Sequence, residues 1–326
     1  MNISAVYMWP GAFFGTFPFR QDKPGEVQWN LLDEVVFEFR IQNAVQVKIA
    51  RDGIFEFDFS DWSPGRIADP SGGWSKEFQN RISLINSFFA CFYGAFHELQ
   101  FQKAALLRMT AVGANQLISR KNSGGKLAGW SEGIVAPLLA ARNGPDNINN
   151  KFKYWKEDWR FSGRDLVEIS TLERTAEKIN EILSHDNIKA ARYAELFLRA
   201  SVALQNSDFQ TSLTASWSII ESLLKNLFAS SLTNVPSVKL KDKILGNRDL
   251  TASVISDVLL GIDKLSSDLY QQCSVARKAR NKWLHDLEPI DKSAAFQGLQ
   301  LASAMMENVA SIRLFLLPQE GGVIVN

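Results

Sequence analysis

Apolar and polar side chains alternate along several short runs near the N-terminus of the chain. The alternation covers residues 35–41, 45–49 and 55–59, where Val, Ile and Phe recur at every second position. A two-residue period is typical of half-buried β-strands. Asp52-Gly53 separates the second run from the third and is a common hairpin turn. We therefore predict a small antiparallel sheet, or the edge of a sandwich, in this region.

A helical period begins near residue 76. It predicts one long helix over residues 76–118, which carries a stripe of four phenylalanines: Phe88, Phe89, Phe92 and Phe96. Aromatic stripes with helical spacing usually pack in a core, and the alternative is a ligand-binding box. Further along, the aromatic and charged run at residues 154–160 either connects two units or stacks on nucleic-acid bases. Its acidic residues favour the connector.

From Asp165 onward the pattern is helical throughout. The predicted helices lie near residues 170–184, 187–206, 208–229, 250–262, 263–286 and 291–317. Short connections between successive helices indicate antiparallel neighbours in a bundle. The predicted fold class is α+β, with a β-rich region and a long helix in residues 1–165 and an all-α bundle in residues 166–326.

Composition narrows the class of protein. Of the 326 residues, 46% are hydrophobic and 22% charged, which is ordinary for a globular protein. The net charge of +1 gives no overall basic field, so any nucleic-acid site must be a local patch. Two cysteines make no disulfide framework or zinc cluster, which favours the cytoplasm. The apolar stretch at residues 82–96 is shorter than the roughly 18–20 residues of a membrane span, so we expect no membrane association.

Arg280 interrupts an apolar stripe in the segment of residues 262–287. The stripe consists of Ile262, Leu265, Leu269, Cys273, Ala276, Trp283 and Leu287. Arg280 follows Ala276 by four positions and precedes Trp283 by three, so it occupies the core-facing place between them. An arginine there must find an anion or a wet cleft, because an unpaired buried charge is very costly.

Glu221 interrupts a second apolar stripe, formed by Trp217, Leu224 and Phe228. Since opposite charges interrupt two stripes of one bundle, we expect Glu221 to approach Arg280 and hold it. The alternative is that both residues are edge positions whose charged ends reach solvent.

A polar edge follows the same segment as Arg280. Arg277, Asn281 and His285 succeed one another at steps of four and therefore share a helix face. With Lys278, Arg280 and Lys282, Arg277 gives four cations within six residues, a patch suited to phosphate. His285 lies about 140° around the helix from Arg280. The other histidines are weaker candidates: His97 lies in the aromatic helix, and His185 lies at a helix start.

The run Arg280-Asn281-Lys282-Trp283-Leu284-His285 resembles the Arg-x(4–6)-His signature of the HEPN superfamily. Residues 217–224 are similar to the second bundle helix of its ApeA-like branch. The resemblance covers about 130 residues and does not extend to the first 165. It implies a HEPN-like helical bundle and a metal-independent endoribonuclease without a cofactor, in a toxin, antiphage or RNA-processing system.

The resemblance also implies roles for single residues. His285 would transfer a proton, Arg280 would stabilise the phosphate in the transition state, and Asn281 would orient the scissile phosphate or His285. Arg277, Lys278 and Lys282 would bind RNA, with Glu221 in support. Two copies would form a composite site across a dimer axis.

The N-terminal region would sense a trigger, such as a phage component, or bind an antitoxin. Leu287 stands where part of the superfamily has a tyrosine that is nucleotidylated, so that control is not expected. The alternative is a non-catalytic module for dimerisation or RNA binding.

Overall fold

The computed structural model describes residues 3–7, 12–19, 22, 28, 31–62, 74–100, 109–113, 116–119, 164–184, 189–232 and 237–314. The chain divides into two compact units, Met1–Arg192 and Tyr193–Asn326. An N-terminal antiparallel sheet and helices along the C-terminal part confirm the predicted α+β class. The domain boundary predicted between residues 165 and 166 stays a prediction, because compactness does not decide which segment folds alone.

The first unit contains a five-stranded antiparallel sheet in the order β3-β4-β5-β1-β6. The strands are β1 (Ile3–Tyr7), β2 (Phe13–Phe14), β3 (Val35–Ile41), β4 (Val45–Ala50), β5 (Ile54–Asp58), β6 (Ile118–Ser119) and β7 (Leu166–Val167). The predicted strands and the turn at Gly53 are confirmed. Gly53 has φ +92°, and a Cβ there would lie 3.1 Å from the carbonyl oxygen of Ala12, so glycine is required. Strand β7 pairs in parallel with β2, which corrects the expectation of helix from Asp165 onward.

Helix α1 (Trp74–Leu99) supplies the aromatic core of the first unit. The ring of Phe55 on the sheet lies 5.5 Å from that of Phe88 and 5.0 Å from that of Phe89, between centroids. All four predicted stripe phenylalanines are buried, which supports the core interpretation.

Helix α1 ends earlier than the predicted residue 118. Residues 109–113 are irregular, because the buried Asn86 amide donates to the Val112 carbonyl oxygen at 3.1 Å and accepts from its N–H at 2.7 Å. These two hydrogen bonds replace the bonds that a continuing helix would make. The connector predicted at residues 154–160 and His185 lie outside the described residues.

The remaining helices are α2 (Ile169–Ser184), α3 (Ala190–Gln205), α4 (Phe209–Ser231), α5 (Val238–Leu245), α6 (Ala252–Gly261), α7 (Ser267–Asp286) and α8 (Lys292–Ala310). Six of them match predicted segments, and α8 ends before the predicted residue 317. The pattern missed α5, which is only eight residues long and buries none of them. None of the described helices has the length and apolar character of a membrane span.

Helix α4 is the centre of the second unit. It packs against α6, α7 and α8, and its buried apolar residues include Leu213, Trp217, Ile220 and Leu224. The closest approach is to α8, at Gly298, where a Cβ would lie 2.5 Å from Cδ1 of Leu213. A side chain at Gly298 would therefore have to displace a fully buried leucine.

We expect Gly298→Ala to couple strongly to Leu213. In the wild-type background the added methyl group overpacks the helix contact, a cost of about 1–3 kcal/mol that exceeds the gain in helix propensity. In a Leu213→Ala background the same methyl group fills part of the cavity, so its cost should vanish or reverse. Urea unfolding of the four proteins measures the coupling, and additive free energies would contradict this close approach.

Both cysteine thiols should react slowly in the native protein. Burial raises the pKa of Cys91 to about 12 and that of Cys273 to about 11. At pH 8 only about one Cys273 thiol in a thousand is then a reactive thiolate. Ellman's reagent should modify both thiols slowly in buffer, faster as the pH rises, and rapidly in denaturant. Rapid modification of folded protein at pH 8 would contradict the packing around them.

Candidate functional site

Helix α7 carries the predicted site residues. It begins after Ser266, whose hydroxyl accepts from the N–H of Leu269, and ends at Asp286 before the left-handed Leu287. The middle of the predicted apolar stripe is buried at Cys273 and Ala276. Its ends are not, because Ile262 is 47% and Leu287 70% exposed. Leu265 is buried as well, so the stripe packs in the second unit from Leu265 to Ala276 and its two terminal residues do not.

Arg280 lies half-buried where the apolar stripe is interrupted, as predicted. Its Nη1 donates to Oδ1 of Asn281 at 3.0 Å, so the adjacent amide orients the guanidinium. Its Nε is shielded from solvent and has no hydrogen-bond partner. Among the described residues, no carboxylate pairs with Arg280. This guanidinium therefore carries a charge that no described carboxylate compensates, and an anionic ligand would neutralise it.

The predicted ion pair between Glu221 and Arg280 is not formed. The carboxylate of Glu221 instead binds Nζ of Lys225 at 2.7 Å, one turn further along α4. A partner four residues away on the same helix needs no contact between helices, so it competes well for an accessible glutamate. Glu221 therefore does not bind Arg280 directly.

The neighbouring cations differ in their pairing. Lys282 binds Glu288 at 3.0 Å, and this hydrogen bond raises the pKa of Lys282. Arg277 and Lys278 form no ion pair within the described part of the chain. One stretch of α7 thus carries three cations that no carboxylate of the described residues neutralises: Arg277, Lys278 and Arg280.

His285 lies exposed in the last turn of α7. Its distance along the helix axis from Arg277 is about 12 Å, at 1.5 Å per residue. His97 belongs to the first unit and is half-buried, and burial lowers its pKa. His285 is therefore the better placed of these two described histidines for proton exchange with a ligand.

A cleft that the sequence did not reveal adjoins the same helix. Trp217 and Cys273 form its buried floor, and its polar rim includes Ser253, Asp257, Tyr270 and Arg277. The cleft is a shallow depression that is open to solvent. The hydroxyl of Tyr270 donates to Oδ1 of Asp257 at 2.8 Å, and this bond to a carboxylate raises the pKa of Tyr270.

Comparison with known proteins gives no match to a family model, a curated protein or a solved structure. The resemblance to the HEPN superfamily therefore depends on the residues of α4 and α7 alone. In the described part of the chain, no group of three or more His, Cys, Asp or Glu side chains could hold a metal ion.

Replacing Arg280 by methionine should not destabilise the fold. Arg280→Met keeps an unbranched apolar stem and removes a half-buried charge that has no carboxylate partner among the described residues, so the thermal midpoint should stay equal or rise. Arg199→Met is the matched control, because it removes a 2.9 Å ion pair with the half-buried Glu195 and should lower the midpoint. Differential scanning calorimetry measures both variants. A larger loss for Arg280→Met than for Arg199→Met would assign Arg280 a structural role.

Proposed function

We propose that the protein is a metal-independent endoribonuclease of HEPN type, acting in a toxin or antiphage defence system of the cytoplasm. The observation that carries this proposal is the Arg280 guanidinium, half-buried, oriented by Asn281 and unpaired with any described carboxylate. A scissile phosphate would supply the missing negative charge. Arg277 and Lys278, also without ion pairs, extend this positive charge along α7 for the RNA backbone.

The chemistry needs no metal because RNA carries its own nucleophile. The 2′-oxygen bonds to phosphorus while the bond from phosphorus to the 5′-oxygen breaks. A proton leaves the 2′-hydroxyl and a proton reaches the departing 5′-oxygen, and His285 serves this exchange. Arg280 stabilises the charge on the phosphate oxygens in the transition state. The products are a 2′,3′-cyclic phosphate and a free 5′-hydroxyl.

A homodimer with a composite site fits the placement of these residues. His285 and Arg280 are about 140° apart around one helix, so a single copy does not aim both at one point. Leu284 and Leu287 are 44% and 70% exposed beside the motif, and Val275 is 56% exposed on the same helix. Apolar side chains in such positions favour contact with a second copy. The first unit would then sense a phage-derived trigger or bind an antitoxin.

The exposed apolar residues of α7 also favour a second candidate function. In this alternative, the second unit is a dimerisation or RNA-binding module without catalysis. A ribonuclease and an RNA-binding module both predict RNA binding and differ in whether the RNA is cleaved, whereas a dimerisation module predicts neither.

We expect the full chain to cleave single-stranded RNA in the presence of EDTA. His285→Ala should lower kcat/KM by about 10²–10⁴-fold, which is the usual contribution of acid–base catalysis. Arg280→Ala should also abolish most cleavage, whereas the exposed Arg248→Ala serves as an arginine control and should retain it. Denaturing gels and cyclic-phosphate analysis of the products measure these effects. Undiminished cleavage by His285→Ala, or strict dependence on magnesium, would contradict the mechanism.

A mixing experiment tests the composite site. Inactive His285→Ala and Arg280→Ala proteins, combined and allowed to exchange subunits, should regain part of the wild-type activity, because each supplies the residue that the other lacks. No recovery, despite exchange shown by light scattering and a fluorescent label, would restrict the site to one copy.

A further inference from the structure

The cleft lined by α4, α6 and α7 adjoins the motif on α7. We propose that it is a base-recognition subsite, which binds an amino-bearing base, guanine above all, of a nucleotide next to the scissile phosphate. This inference rests on the proposed ribonuclease function and gives that site a sequence preference.

The carboxylate of Asp257 is the recognising group. Asp257 is exposed on the rim, and its Oδ1 accepts the hydrogen bond from Tyr270. A carboxylate has roughly four lone-pair positions, so acceptor capacity remains on both oxygens. Tyr270 fixes the direction of this carboxylate and thereby prepares it to accept hydrogen bonds from a planar ligand edge.

Arg277 supplies the complementary charge on the same rim. It lines the cleft with Asp257, yet the two form no ion pair, and Arg277 has no other carboxylate partner in the described residues. A cleft that keeps an acceptor and a cation apart fits a ligand with N–H donors at one end and an anion at the other. A nucleotide has this combination in its base and its phosphate.

The position along α7 connects the cleft to the cleavage motif. Tyr270, Arg277 and Asn281 follow one another at seven and four residues, so they lie along one helix face. Arg277 therefore borders both the cleft and the polar edge that leads through Asn281 to His285. An RNA strand that follows this edge brings a nucleotide beside the scissile bond to the cleft.

Hydrogen-bond chemistry selects the base. Guanine offers N1–H and N2–H side by side, which matches two acceptor positions of one carboxylate. Adenine and cytosine offer one amino group each. Uracil has no amino group, and its carbonyl oxygens would face the negative charge of Asp257. The expected order is guanine first, adenine and cytosine next, and uracil last.

Defined RNA oligomers test this order. The substrates are a 12-mer of uridine and the same 12-mer with one central guanosine, each with a fluorescent end label. The wild-type protein should cleave the guanosine oligomer beside the guanosine, with kcat/KM about 5–150-fold higher than for the uridine oligomer. Asp257→Asn should bring that ratio close to one, because an amide offers only one acceptor atom to the base. Tyr270→Phe should reduce the ratio less, since it only frees the carboxylate to move.

Asp263→Asn is the matched control. Asp263 is an exposed aspartate with φ +55°, a backbone conformation that asparagine tolerates, and the cleft does not include it. Its ratio should equal that of the wild type. Equal cleavage of both oligomers by the wild type, or a preference for guanosine that survives Asp257→Asn, would overturn the inference and leave the ribonuclease standing.

If neither oligomer is cleaved, a binding measurement still distinguishes the subsite proposal from the ribonuclease proposal. Fluorescence anisotropy of the His285→Ala protein should then give tighter binding of the guanosine oligomer, and Asp257→Asn in the same background should remove the difference. That result would support the subsite while the nuclease proposal fails. Equal binding of both oligomers would overturn the subsite by itself.

Discussion

The burial of α4 is the constraint on which the candidate site depends. This helix packs against α6, α7 and α8, and its apolar residues are buried on more than one side. Trp217 of α4 forms part of the floor of the cleft, whose rim comes from α6 and α7. Asp257 and Tyr270 therefore reach each other because both helices pack on the same partner. Apolar packing of the helices therefore sets the positions of the residues of the candidate site, and the polar contacts between those residues form within that arrangement.

Periodicity predicted the elements whose residues bury one face. Strands β3, β4 and β5 and the longer helices have such a face, so the sequence predicted that they exist and whether each is a strand or a helix. Helix α5 was missed because it buries no residue. Strand β7 was missed for a different reason: two residues cannot show a period, and its partner β2 lies about 150 residues away. The end of α1 depends on Asn86, a distant amide that binds Val112.

Some features of the candidate site could likewise be predicted from the sequence, and others could not. Arg280 was found because a charge in an apolar stripe is visible in the sequence of one helix. Its predicted partner was wrong, since a stripe gives the face of Glu221 but not which cation that carboxylate meets. The contact of Asp257 with Tyr270 joins two helices across 13 residues and has no sequence signal. Features within one element were therefore predictable, and pairings between charges were not.

Several arginines elsewhere in the chain differ from those of α7 because they pair with carboxylates. Among the described residues, five arginines are seen to bind carboxylates: Arg40, Arg51, Arg174, Arg199 and Arg313. Arg277 and Arg280, one turn apart on α7 and half-buried, have no such partner among the described residues, and the exposed Arg192 and Arg248 have none there either. Leaving two half-buried cations side by side lowers stability through desolvation and repulsion. An anionic ligand would offset both the desolvation and the repulsion. The two arginines would therefore bind an anion more strongly than arginines that already pair with a carboxylate.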